Sequence, residues 1–145
     1  IGVRLVGSEM CIRDRWRETA DGSVALIVIL DQLPLNMFRS DPKGFQTENM
    51  AVEVALNAIN NGFDEELNDE KLLFLFMPLM HSENIDHQNL QVYLFDKYNF
   101  NLEFSKHHRD LVKKFGSFPH RNEILGRMST MEELDYLLSD NAFKG

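Results

Sequence analysis

The sequence predicts an all-α chain of antiparallel helical hairpins, and three observations carry that prediction. No segment alternates apolar and polar residues over the several positions a half-buried strand needs. Apolar residues recur at helical spacing instead, as at Met50, Val54 and Ala58. The segments with this period run about ten to fifteen residues between short turn-rich breaks, which favours antiparallel neighbours.

In chain order, SVALIVILDQLPLNMF is apolar nearly all round and predicts a buried helix. Pro34 is expected to end or kink it near Leu33. SDPKGFQTE is a turn, with Thr47 as the expected N-cap of ENMAVEVALNAIN. Asn61-Gly62 stops that helix. Asn68 can cap DEKLLFLFMPLMH, whose acids Asp69 and Glu70 suit a positive helix start, and Pro78 predicts a kink. Residues 84–98 form a further expected helix with Ile85, Val92 and Phe95 on one face. NLEFSKHHRDLVKKFG follows, with Phe104, Leu111, Val112 and Phe115 on one stripe and Gly116 just past its end. Pro119 opens a short helical turn at HRNEIL. In STMEELDYLL both Ser129–Glu132 and Thr130–Glu133 fit the capping-box spacing.

Composition bounds the function. At 145 residues, 43% hydrophobic and 26% charged, the chain has the makings of one globular domain. A net charge of −8 argues against a nucleic-acid-binding surface. The single cysteine, Cys11, leaves no disulfide framework and no cysteine-based zinc site. The longest apolar run, Val24 to Leu30, is far short of the roughly 20 residues of a membrane span. No basic segment followed by an apolar one marks a secretory signal. The expectation is a cytoplasmic protein with no membrane or nucleic-acid partner. No cofactor is expected, because no Walker loop, Gly-x-Gly-x-x-Gly, Gly-x-Ser-x-Gly or His-Glu-x-x-His occurs.

The polar residues that interrupt apolar runs are the candidate site, and each has two readings. Asp31 and Gln32 follow seven apolar residues, so a buried carboxylate is expected, either satisfied internally, with Arg39 the nearest partner in sequence, or used on a ligand. Gln88 and Asp110 join them as structural polar residues. His81, Ser82 and Glu83 end the kinked helix; they either cap the next one or contribute to a pocket. His108 lies on the Phe104–Leu111–Phe115 stripe and points inward, with Arg109 and Asp110 flanking it. SFPHRN is the strongest candidate. Pro119 would set His120, Arg121 and Asn122 at a helix start, where free amides and a guanidinium suit an anion. Equally, Arg121 could fork onto a buried acid such as Asp31 or Glu83.

The residues LDQLPLNMFR, MPLMHSEN, HHRDLVKKFGSFPHRNEILGR and STMEEL together resemble the bacterial family catalogued as domain of unknown function 924. The similarity runs from about residue 23 to 136, and Phe118 to Asn122 is its most specific part. The resemblance implies an all-helical fold similar to tetratricopeptide-type hairpins, and implies no activity. The chain departs from the family pattern in three respects. Leu33 and Leu35 stand where an aromatic and an arginine are usual, and His87 stands where an acid is common. Family members also begin with further residues rich in tryptophan and phenylalanine.

The opening stretch LVGSEMCIRDR has no period and no initiator methionine before it. It matches the conceptual translation of a transposase-based sequencing adapter, in which ATGTGTATAAGAGAC reads Met10-Cys11-Ile12-Arg13-Asp14. Residues 1–15 are therefore expected to be non-native, with residues 16–145 a single helical domain lacking its first helices. Exposed apolar surface on the first buried helix is the expected consequence. Two functions fit these readings. The first is a non-enzymatic module binding a protein or peptide. The alternative is a binder of a small anionic molecule, or a hydrolase, with a pocket of His81, Glu83, His108, His120 and Arg121. No metal site is expected.

Overall fold

The computed structural model describes residues 12–145; residues 1–11, which hold Cys11 and most of the expected adapter segment, lie outside the described residues. Helices and no β-strand occur among them, so the chain is all-α; seven α-helices from Ala20 onward form the fold.

Helix α1, Ala20–Ile27, starts where the Thr19 hydroxyl accepts from the Gly22 amide at 3.0 Å. It widens into a π-helical turn, Val28–Gln32, and resumes as α2, Leu33–Met37. Of the two outcomes expected at Pro34, an end or a kink, the end does not occur: the helix passes through, and its regular α-form is interrupted just before Leu33. Proline lacks the N–H that would reach back one turn. The carbonyl four residues earlier, on Leu30, instead accepts the Thr47 hydroxyl. The amide of Leu33 reaches five residues back to Val28. Thr47 accordingly does not cap α3, Glu48–Asn60, with its side chain, although it occupies that position. Ile29, Leu33 and Met37 are exposed along one side of α1–α2.

Helix α4, Asp69–His81, is capped by Asn68 and runs on past Pro78. Helix α5, Ile85–Lys97, starts at Asn84 and turns Gln88, Gln91, Leu94 and Phe95 inward while Ile85 is exposed. That corrects the expected Ile85–Val92–Phe95 face. Gln88 is inside because the end of α4 needs donors: the last carbonyls of any helix have no partner within it. The Gln88 amide donates to the carbonyls of Leu79, Met80 and Ser82, the last two at 2.7 Å. Gln91 donates to Gln88 and to the Ser105 carbonyl, and the Ser105 hydroxyl donates back to Gln91. This chain of amides ties α4 and α5 to α6, Leu102–Phe115.

In α6 the inward residues are Ser105, His108, Leu111 and Val112, while Phe104 is half exposed, so the predicted stripe begins one turn late. Gly116 closes the helix at φ 75°, a left-handed conformation natural to glycine. A short 3₁₀ turn, Pro119–Arg121, leads to α7, Met131–Leu137, whose start is the Thr130–Glu133 capping box; Ser129 is not used for it. A main core gathers Leu26, Ile27, Ala55, Leu75, Phe76 and Leu79 with their neighbours from α1 to α5. A smaller cluster of Leu111, Val112 and Phe118 packs with Phe115, Tyr136 and Phe143. No helix of the described residues is long and apolar enough to cross a membrane.

Candidate functional site

Between the two cores lies a cavity of about 310 Å³, walled by α2, the end of α4, α6, the 3₁₀ turn after Phe118 and the last residues of the chain. Its polar wall consists of Arg39, Ser40, His81, His108, His120 and Arg121. Phe45, Phe118 and Phe143 supply aromatic surface, and Lys144 lies at the rim.

Asp31 is 2% exposed and sits in the π-helical turn. Both of its oxygens lie 3.0 Å from His81 Nδ1, and Gln32 donates to it at 2.7 Å. A carboxylate next to an imidazole nitrogen accepts, so Nδ1 carries the hydrogen. The His81 Nε2 makes no hydrogen bond to protein among the described residues, and His81 is one of the residues that line the cavity. The sequence-based pairing of Asp31 with Arg39 is therefore corrected. Arg39 is exposed at the cavity wall and forms no ion pair among the described residues.

Arg121 is 4% exposed. Its Nη1 donates to Glu48 at 3.0 Å and its Nη2 to the His81 carbonyl at 2.7 Å. Its guanidinium lies 4.5 Å from the centre of the Phe45 ring and 5.0 Å from that of Phe118, both favourable cation–aromatic distances. Neither expected acid, Asp31 or Glu83, is its partner. The acid is Glu48, at the start of α3, and the choice follows from which helix start faces the 3₁₀ turn. The Arg121 Nε is buried without a partner, as is His120 Nδ1. Burial pushes the Glu48 carboxyl up, and Arg121 offsets only part of that.

His108 Nδ1 lies 2.9 Å from the Phe104 carbonyl, which can only accept, so Nε2 is the acceptor nitrogen. Burial outweighs that bond and pushes the His108 imidazole down to about 4. Burial, followed by the Arg121 charge, brings His120 to about 4 as well. Both rings are neutral at pH 7. Phe143 meets them edge-on, 4.7 Å from His108 and 5.0 Å from His120.

Glu83 and Asn122 stand behind the wall. Arg127 forks onto Glu83 with two bonds of 2.8 Å and also donates to Asn122 and to the Phe118 carbonyl. Glu83 also accepts from the Phe118 amide at 2.9 Å. Burial would raise its carboxyl, but these bonds prevail and hold it below the usual range. Asn122 donates to Ser129 and Glu133. The expected helix-start anion site is thus corrected, because the Arg121 and Asn122 amides donate to the Phe118 and Pro119 carbonyls and the Asn122 side chain faces α7. Arg109 and Asp110 bond each other at 2.9 Å on the surface, apart from the cavity. Gln88 serves α4, as described. Glu48, Arg127, Phe45 and Phe143 were not singled out from sequence, and Glu133 only as a capping-box acid. Only Arg127 carried a signal there, as an arginine inside an otherwise apolar and glycine turn.

An all-α domain with a histidine- and arginine-walled cavity is the class that fold and site define. The chain belongs to the family of bacterial proteins of unknown function DUF924, which it matches over residues 7–141, a span that takes in part of the opening stretch. It is similar to the solved structure of a protein of unknown function from Agrobacterium tumefaciens, at 34% identity and a TM-score of 0.84. That likeness covers 94% of this chain and 78% of the other. No curated protein matches it.

Proposed function

We propose that this chain binds a compact organic anion, a carboxylate with an apolar body, in the cavity between its two cores. One observation carries the reading. In a chain of net charge −8, no Asp or Glu side chain among the described residues lines the cavity, whereas two arginines, a lysine and three histidines do. Asp31 and Glu48 are turned behind the wall, where they hold His81 and Arg121. Desolvated walls strengthen a charge-assisted bond, and the phenylalanines receive the apolar part of the ligand. The frame is read as tetratricopeptide-like.

Benzoate followed by calorimetry and amide shifts tests this. Binding is expected to perturb residues around His81 and His120. Arg39→Ala, at an exposed position, is expected to weaken it roughly tenfold or more, the worth of one charged contact. Equal affinity for Arg39→Ala and the intact chain, or shifts that map elsewhere, removes the reading.

The sequence favoured a protein- or peptide-binding module, and one feature still speaks for it. Met128, Met131 and Leu138 are 95%, 74% and 86% exposed around α7. On that reading Met131→Glu abolishes capture of a peptide partner and leaves benzoate binding unchanged.

A further inference from the structure

We propose that the cavity is a site of general-base hydrolysis, with His81 as the base and Asp31 as the residue that positions it. The inference rests on the anion-binding reading for its substrate class, an ester that bears a carboxylate. The geometry has three parts. His81 lines the cavity and its Nε2 has no protein partner among the described residues, while its other nitrogen is held by a carboxylate. That carboxylate is almost fully buried, and a buried acid is costly to a fold unless it is paired. Here the pairing side chain is the one that reaches the cavity. Finally, Asp31 lies in a π-helical turn, a distortion that recurs where a helix must aim a side chain at a functional site.

The Arg121 guanidinium adds a fourth element. It holds the His81 carbonyl, so the backbone that carries the base is clamped as well as its ring. His108 and His120, neutral for the reasons given, add no charge that would oppose an imidazolium at His81.

The step balances as follows. His81 Nε2 takes a proton from water as the water oxygen bonds to the acyl carbon. The carbonyl π electrons move onto oxygen and return as the bond to the leaving oxygen breaks. The imidazolium, stabilised by Asp31, gives its proton to an alkoxide leaving group or to solvent. A carboxylic acid and an alcohol result, the acid then losing its remaining water-derived proton to solvent, with no oxidant or metal required. Asp31 keeps its charge throughout and fixes the tautomer, as an orienting acid does.

The test uses the mono-4-nitrophenyl ester of succinic acid with the whole chain. The intact protein is expected to hydrolyse it above buffer, more slowly in D₂O, with inhibition by benzoate. His81→Gln is expected to lower the rate roughly 100-fold or more while retaining the fold. Asp31→Asn is expected to lower the rate comparably and to shift the His81 tautomer seen by nitrogen NMR, which a merely structural acid would not do. An intact rate no higher than buffer or than His81→Gln overturns the proposal. If His81→Gln does not fold, the intact protein decides: hydrolysis insensitive to benzoate or to D₂O overturns it. Benzoate binding without hydrolysis removes the base and leaves the anion pocket standing. Hydrolysis that depends on His81 without benzoate binding does the reverse.

Discussion

Arg121 and Glu48 are 73 residues apart in sequence and meet as an ion pair at 3.0 Å, with side chains 5% and 20% exposed. Breaking such a pair from one side leaves the other group buried and unsatisfied, at about 3–5 kcal/mol. Glu48→Ala and Arg121→Ala are each expected to destabilise by about 3 kcal/mol at neutral pH. The value for Arg121→Ala is held down because burial already favours a protonated Glu48. In the double variant no charge is stranded, so its cost is expected to fall short of the sum by about 1–3 kcal/mol. Urea denaturation of the four proteins measures this, and strict additivity contradicts it.

Arg127 to Glu83 is a fork rather than a point contact. Two bonds of 2.8 Å join the groups, and Glu83 also holds the Phe118 amide at the cavity wall. Lysine cannot reproduce that planar geometry. Arg127→Lys is therefore expected to cost about 1–2 kcal/mol despite the retained charge. Hydrogen exchange at the Phe118 amide should accelerate beyond what the global loss explains. Unchanged protection there would show that Glu83 holds the loop unaided.

Helix ends were legible because caps are local. Asn68, Asn84, Gly116 and the Thr130–Glu133 box each act within a turn of their own position. The inward direction of His108 was legible for the same reason. What the residue order did not disclose is which helix faces which. Arg121 selecting Glu48 over Asp31 or Glu83 depends on the packing of α3 against the 3₁₀ turn. The burial of Gln91 depends likewise on the packing of α5 against α6, which carries its partner Ser105. Pro34 distorts its helix without ending it, because the carbonyl it orphans finds another donor. Thr47, 17 residues past Leu30, supplies the donor.

That rescue makes a coupled prediction. Thr47→Val removes the hydroxyl and leaves the part-buried Leu30 carbonyl unsatisfied, an expected loss of about 1–2 kcal/mol. Pro34→Ala restores an N–H one turn ahead that can serve the same carbonyl. In the Pro34→Ala background Thr47→Val is therefore expected to cost less, by about 1 kcal/mol. Thermal or urea melts of the cycle give the coupling, and equal costs in both backgrounds would mean that Thr47 matters for another reason.

Acid should weaken the fold through His108 and His120. Each imidazole is held near 4 in the folded chain, against about 6.5 when unfolded. Between those values the unfolded state binds more protons, so stability falls as pH drops from about 6.5 to about 4. His108, 3% exposed, would contribute on the order of 2–3 kcal/mol to that loss. Glu48 works in the opposite sense, since its raised carboxyl takes up a proton in the folded state above its ordinary range. It recovers part of the loss just above pH 4.5. Glu83 is lowered, so its contribution is lost only as pH falls below that point. His108→Gln retains a donor for the Phe104 carbonyl without a titrating ring. It is expected to start less stable at pH 7 and to lose less between pH 7 and pH 5 than the intact chain. Urea midpoints at the two pH values measure both quantities, and an intact chain whose midpoint does not move between them contradicts the assignment of neutral, buried imidazoles.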